Sequence, residues 1–220
     1  MERKITVTGA GIASVAPDVI GLNIRVETVR YRYDETLEVA SAASHDLQEL
    51  ILANDFGEKD LKTTSFQVDT KYRNYNDAHN EYKQEFVGYS CVQRFQLEFP
   101  IDFARLSQVL SGIAETAIQP KLDIYFTIAD QDAVKELVLL DATKKARRNA
   151  QVLADAAGMK LGDILRIDYS WSELHLQSET QYELYDSAPR MMAAKIEPHI
   201  TPGDIDVSDS VTFVWELKAE

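Results

Sequence analysis

The sequence predicts an α+β fold, a two-layer sandwich of largely antiparallel sheet covered by helices. Three patterns carry this expectation. Val134, Val138, Ala142, Ala146, Ala150, Leu153 and Ala157 recur at steps of three and four, which marks one face of a helix. Ile20, Leu22, Ile24 and Val26 alternate with Gly21, Asn23, Arg25 and Glu27, which marks a strand with one wet face. The order strand, helix, glycine, strand, long loop, long strand occurs over residues 19–99 and again over residues 121–218. A helix apolar along one stripe and a strand apolar on one side bury those sides against each other, so helices on one face of the sheet are the simplest packing.

The longest helical pattern runs from Asp130, a candidate N-cap, to Gly158, the residue expected past the C-terminus. At 1.5 Å per residue it spans about 40 Å. The middle of its apolar face is alanine, and small side chains let a helix axis lie close to the strands it covers.

Taken in order, Ile5 to Ala10 reads as a short strand. Gly9, Gly11 and Pro17 read as an irregular passage with a turn. After the strand at residues 20–26, Asp34 is placed to cap a helix whose inner face is Leu37, Ala40, Ala43, Leu47 and Leu50, with Gly57 beyond its end. Phe66, Val68 and Tyr72 alternate along the next strand. A polar, tyrosine-bearing loop, Arg73 to Glu85, leads to a long strand with Val87, Tyr89, Cys91, Phe95, Leu97 and Phe99 in one phase. Pro100 stops it. Asp102 then caps a short helix with Phe103, Leu106, Val109 or Leu110, and Ile113 facing in.

In the second half, Leu122, Ile124, Phe126 and Ile128 alternate ahead of the long helix. Leu165, Ile167, Tyr169 and Trp171 share a phase after it. A long irregular segment, Glu173 to Gly203, precedes a last strand with Val207, Val211, Phe213, Trp215 and Leu217 in phase. The domain organisation read from this is one domain over residues 1–220. It holds an internal β-α-β-β duplication, with pseudo-repeats 19–99 and 121–218 joined by a helical connector at 102–116.

The net charge of −13 disfavours phosphate backbones, so no nucleic-acid partner is expected. The basic run Lys144-Lys145-Ala146-Arg147-Arg148 reads as a solvated helix face. One cysteine excludes an internal disulfide. No apolar run is long enough to span a bilayer, so no membrane span is expected. The N-terminus alternates Ile5 and Val7 with Thr6 and Thr8, the pattern of a strand and not of a signal peptide. The chain is therefore expected in the cytoplasm, or in the periplasm or cell envelope if a leader has been removed.

No residue set defines a chemistry. Gly9-Ala10-Gly11 lacks the third glycine and the following helix of a dinucleotide fingerprint. His45, His79, His175 and His199 show no metal-ligand spacing, and the phase of Cys91 makes it a buried thiol. Catalytic residues, cofactor-binding residues and metal ligands are all expected to be absent. The two strand-connecting loops carry the functional expectation instead, because long hairpin loops need a reason and tyrosine and methionine favour contact surfaces. Their interaction residues are Tyr72, Tyr75 and Tyr82 in the first, and Tyr182, Tyr185, Met191, Met192 and Ile196 in the second.

The chain resembles the bacterial SIMPL-domain family along nearly its whole length. The resemblance rests on Ile5-Thr6-Val7-Thr8-Gly9-Ala10-Gly11 with Pro17-Asp18, on Asp60-Leu61-Lys62-Thr63-Thr64, and on Gly88-Tyr89. It rests also on the helix with Ala142, Ala146 and Ala150 followed by Gly158-Met159-Lys160-Leu161-Gly162, and on Pro202-Gly203. It implies an α+β fold, ring-like or channel-like assembly in some members, and a link to the envelope or to stress tolerance in bacteria. It implies no catalytic residues. The function expected from residues and resemblance together is a non-enzymatic, homo-oligomeric assembly or interaction protein, with a protein partner as a further expectation. The alternative is an enzyme or small-ligand binder with a pocket between the sheet and the long loops.

Overall fold

The computed structural model describes residues 3–76, 80–116, 118–170, 174–180, 182–184 and 200–219. In chain order its elements are β1 (Lys4–Val15), β2 (Val19–Arg30), α1 (Tyr33–Ala53), β3 (Leu61–Asn76), β4 (Tyr82–Pro100), α2 (Phe103–Glu115), β5 (Lys121–Thr127), α3 (Gln131–Ala156), β6 (Met159–Asp168), β7 (Tyr182–Leu184) and β8 (Ile205–Ala219). They form a three-stranded sheet, β1-β8-β6, and a five-stranded sheet, β3-β4-β2-β5-β7. These helix-covered antiparallel sheets are the α+β fold expected. The chain divides into two compact units: Met1–Asp18, Thr127–Thr180 and Pro202–Glu220 form the first, Val19–Phe126 and Gln181–Thr201 the second.

In the first unit β1 pairs without a break against β8, from Lys4↔Glu216 to Val15↔Ile205. The irregular passage expected at Gly9 and Gly11 is absent: both lie in mid-strand, and neither has a positive φ. Their smallness serves the helix. A Cβ on Gly9 would lie 2.0 Å from the carbonyl oxygen of Ala142, and one on Gly11 2.0 Å from that of Val138. The backbone of α3 rests directly on the strand, with Ala142, Ala146 and Ala150 fully buried between them. Glycine below and alanine above are the two halves of one close-packed seam. A polar tether crosses it: the Ile12 amide donates to the Asp141 carboxylate at 3.0 Å. Lys145 at 2.7 Å, together with that amide, holds the Asp141 carboxyl below its ordinary pKa.

Asp130 caps α3 by accepting from the Ala133 amide, and Gly158 follows the helix in the left-handed region, as the sequence predicts. The buried stripe continues through Ala154, however, and leaves Leu153 and Ala157 exposed. Four-residue steps from Ala142 to Ala154 stay over the sheet, and the three-residue step to Leu153 leaves it. The phase expected of Leu165, Ile167 and Tyr169 is also not kept: all three are exposed, the first two on β6 and Tyr169 just past its end. Register breaks between Leu161 and Ile164, and between Ile164 and Arg166, shift the alternation on this edge strand. Trp171 lies outside the described residues.

In the second unit Ile20, Leu22, Ile24 and Val26 of β2 pack in one core with Leu47 and Ile51 of α1 and with Leu106, Val109, Leu110 and Ile113 of α2. Val109 and Leu110 both face in. Asp102 caps α2 through the Arg105 amide. Asp34 does not cap α1: it lies in the first turn, behind Arg32 at the N-cap position. Arg32 holds it bidentately at 3.0 and 2.7 Å, which depresses its pKa.

On the opposite face of β2, Gly21 makes room for the Tyr125 ring; a Cβ there would lie 2.0 Å from it. The Tyr125 hydroxyl donates to Glu98 at 2.7 Å and accepts from Gln96. Burial pushes its pKa up to about 12. The unfolded chain then ionises first, near pH ~10. This contribution to stability is whole below that pH and is lost as pH rises toward 12. Thermal melts at pH 9 and pH 11 are expected to show about 1 kcal/mol of alkaline destabilisation that Tyr125→Phe removes. An equal loss in the variant would place the alkaline transition elsewhere.

Candidate functional site: an aromatic hairpin arm

The loop expected from Arg73 to Glu85 is largely strand. β2 pairs with β4 only as far as Arg30↔Tyr89, while β3 and β4 pair on to Asn76↔Tyr82. Residues 72–76 and 82–86 thus form a two-stranded arm that outruns the sheet. Neither of its faces is buried, so its residues show no apolar and polar alternation and read as a loop. The arm begins at a β-bulge. Gly88 faces Lys71 and Phe86 faces Tyr72, leaving Val87 unpaired. Gly88 has φ 144°, and a Cβ on it would meet the Arg30 carbonyl oxygen at 2.2 Å. Only glycine fits both conditions.

Directly opposed residues share a face of a strand pair. Tyr72, Phe86, Asn74, Gln84, Asn76 and Tyr82 therefore lie on one side of the arm. Tyr75, Lys83 and the ion-paired Arg73 and Glu85 lie on the other. Of the expected interaction residues the structure thus brings Tyr72 and Tyr82 to one face and sets Tyr75 on the reverse; all three are exposed. Tyr182 is in β7, paired with Ile124 of β5. Tyr185, Met191, Met192 and Ile196 lie outside the described residues.

Sequence reasoning missed the root of the arm. Phe86 is edge-on to Tyr72 at 5.7 Å, to Tyr31 at 5.6 Å and to Tyr89 at 5.5 Å, and Tyr89 is edge-on to Tyr33 at 5.4 Å. These are favourable ring geometries. Tyr31 at 70% and Tyr33 at 51% exposure, with Tyr72, open the patch to solvent. The pair Tyr31 and Tyr33, alternating with arginines at the junction of β2 and α1, was the available signal.

A patch of exposed rings beside paired charges can bury apolar surface and select a charge pattern. The nucleophile and ligand candidates lie elsewhere. Cys91 is buried, and burial pushes its thiol pKa up, so it is protonated at neutral pH. His45 is exposed on α1, 3.2 Å from Glu49. Among the described residues no three His, Cys, Asp or Glu side chains gather as metal ligands, and no described helix is long and apolar enough to cross a membrane.

The fold and this surface define a class: an α+β protein of helix-covered antiparallel sheets that presents an aromatic strand arm. The chain belongs to the SIMPL family, described as a protein of unknown function (DUF541), whose sequence model matches residues 5–215. It is 24% identical over 217 residues to the 26 kDa periplasmic immunogenic protein of Brucella melitensis, covering 98% of this chain and 85% of that one. It is 21% identical over 214 residues to the uncharacterized protein YggE of Escherichia coli K12, covering 97% and 83%.

Proposed function

We propose that this protein is a non-enzymatic assembly protein that associates with further copies of itself through the hairpin arm, in the periplasm or cell envelope. The arm is the observation that carries this reading. A two-stranded hairpin standing alone is marginal in water. This one has exposed aromatic residues on one face and both signs of charge on the other. Such a surface is self-complementary, which suits a symmetric contact between identical chains. The periplasmic assignment replaces the cytoplasmic expectation; its support is the name of the Brucella relative. A role in envelope or stress tolerance, with or without a second protein partner, belongs to the same proposal.

We propose also that residues 19–99 and 121–218 are repeats of one module. In support, each long helix is followed by an antiparallel strand pair, β3–β4 after α1 and β6–β8 after α3. β5 pairs in the other sheet, however, and β1 takes the place of a leading strand beside β8.

Size-exclusion chromatography with light scattering tests the assembly. The intact chain is expected to run as an oligomer. Tyr72→Asp with Tyr82→Asp is expected to weaken association by more than tenfold, since buried aromatic anchors contribute about 2 kcal/mol or more each. Melting should be little changed, because both side chains are exposed. A strict monomer at high concentration, or an oligomer indifferent to the double variant, overturns the reading.

A further inference from the structure

The second unit contains a cleft of about 520 Å³ that the arm does not use. It opens where β5 stops covering β2. The Asn23 side chain bonds to Asp123 at 3.2 Å, and Gly21 lies under Tyr125. These contacts run antiparallel, so β5 begins, at Lys121, opposite Arg25. Beyond that point the β2 residues Val26 to Arg30 line the cleft together with α1 and with Ile118, Gln119 and Lys121. None of Tyr72, Tyr89 and Tyr169 takes part.

The charge of this cleft is opposite in sign to that of the chain. Arg25, Arg30, Lys71 and Lys121 line it against two carboxylates, Glu27 and Asp46, in a protein of net charge −13. Two of the cations are already engaged. Lys71 donates to Glu27 at 2.7 Å, and Ser90 donates to the same carboxylate at 3.1 Å. Arg30 donates to the Val29 carbonyl at 2.7 Å. Arg25 is not satisfied. Its ion pair with Glu27 is 3.7 Å long, beyond hydrogen-bond range, and its Nε is buried without an acceptor. Lys121 has no ion pair among the described residues. The rest of the lining is apolar apart from Thr28 and Gln119, with Val39, Ala43 and Ile118 among the apolar residues.

We propose that this cleft binds a small amphiphilic anion: a carboxylate or phosphate ester with an apolar body. Arg25 and Lys121 hold the charged group, and Val39, Ala43 and Ile118 cover the body. A planar guanidinium whose Nε has no acceptor is suited to the paired oxygens of either headgroup. The volume lies in the range of small-molecule sites, about 300–1,000 Å³.

The test is amide chemical-shift titration of the full chain with hexanoate, hexyl phosphate and neutral hexanamide. Shifts at residues 25–30 and 42–46 are expected with an anion, and hexanamide should bind more than tenfold more weakly. The two anions distinguish the headgroups. Lys121→Gln, at an exposed strand end, and Arg25→Gln should each weaken the anion by about tenfold. Arg147→Gln, on the exposed face of α3, should leave binding unchanged. Equal binding of hexanamide, absence of shifts with both anions, or an unaffected Lys121→Gln would overturn the assignment.

Discussion

Gly9→Ala is expected to destabilise the protein by about 3 kcal/mol, although it adds one methyl group. The added Cβ would lie 2.0 Å from the Ala142 carbonyl oxygen and 2.6 Å from the Ala146 amide nitrogen. Both are backbone atoms of a helix and cannot rotate away. The strand and α3 must separate by more than an ångström, and every contact along the alanine seam loosens with them. For a chain of this length the melting midpoint should fall by about 6–12 °C. Gly57→Ala is the control, because a Cβ there meets nothing nearer than Asp60 at 3.5 Å. Denaturant melts of the two variants settle the matter; a loss under about 1 kcal/mol for Gly9→Ala would mean the helix does not rest on the strand.

Gly88→Ala should cost a similar amount for two added reasons. The backbone at Gly88 has φ 144°, a region L-residues avoid, and the new Cβ would strike the Arg30 carbonyl oxygen at 2.2 Å. Strain of about 1–3 kcal/mol adds to the clash. The effect reaches past stability, because this bulge sets the direction in which the arm leaves the sheet. Near-ultraviolet circular dichroism should change as Phe86 loses its edge-on contacts with Tyr31 and Tyr89. Self-association should weaken with it. A variant with the original melting point and the original aromatic spectrum would show that the bulge does not aim the arm.

What the sequence reveals here follows from which residues bury one face. The alternation of β2 and the four-residue steps of α3 report a single buried side, so both elements could be read directly. Gly9 and Gly11 could not. A glycine needed for a turn and a glycine needed beneath a helix are the same letter, and only the Ala142 carbonyl tells them apart. The arm was hidden because neither of its faces is buried, which removes the period of two. The register breaks of β6 move Leu165 and Ile167 out of phase, and nothing in the residue types marks such a break. β5 buries Ile124, Tyr125 and Phe126 in succession, and such a run does not state which sheet receives it. The aromatic patch draws Tyr31 and Tyr33 from the β2–α1 junction, Tyr72 from β3, and Phe86 and Tyr89 from β4. Strand register and the turn from β2 into α1 bring them together.

Hydrogen–deuterium exchange of the segment 72–86, followed as protein concentration rises, bears most directly on the arm as a contact between copies. Protection of these amides that grows with concentration, and that Tyr72→Asp with Tyr82→Asp abolishes, is the expected result. Exchange at the same fast rate at every concentration would contradict it.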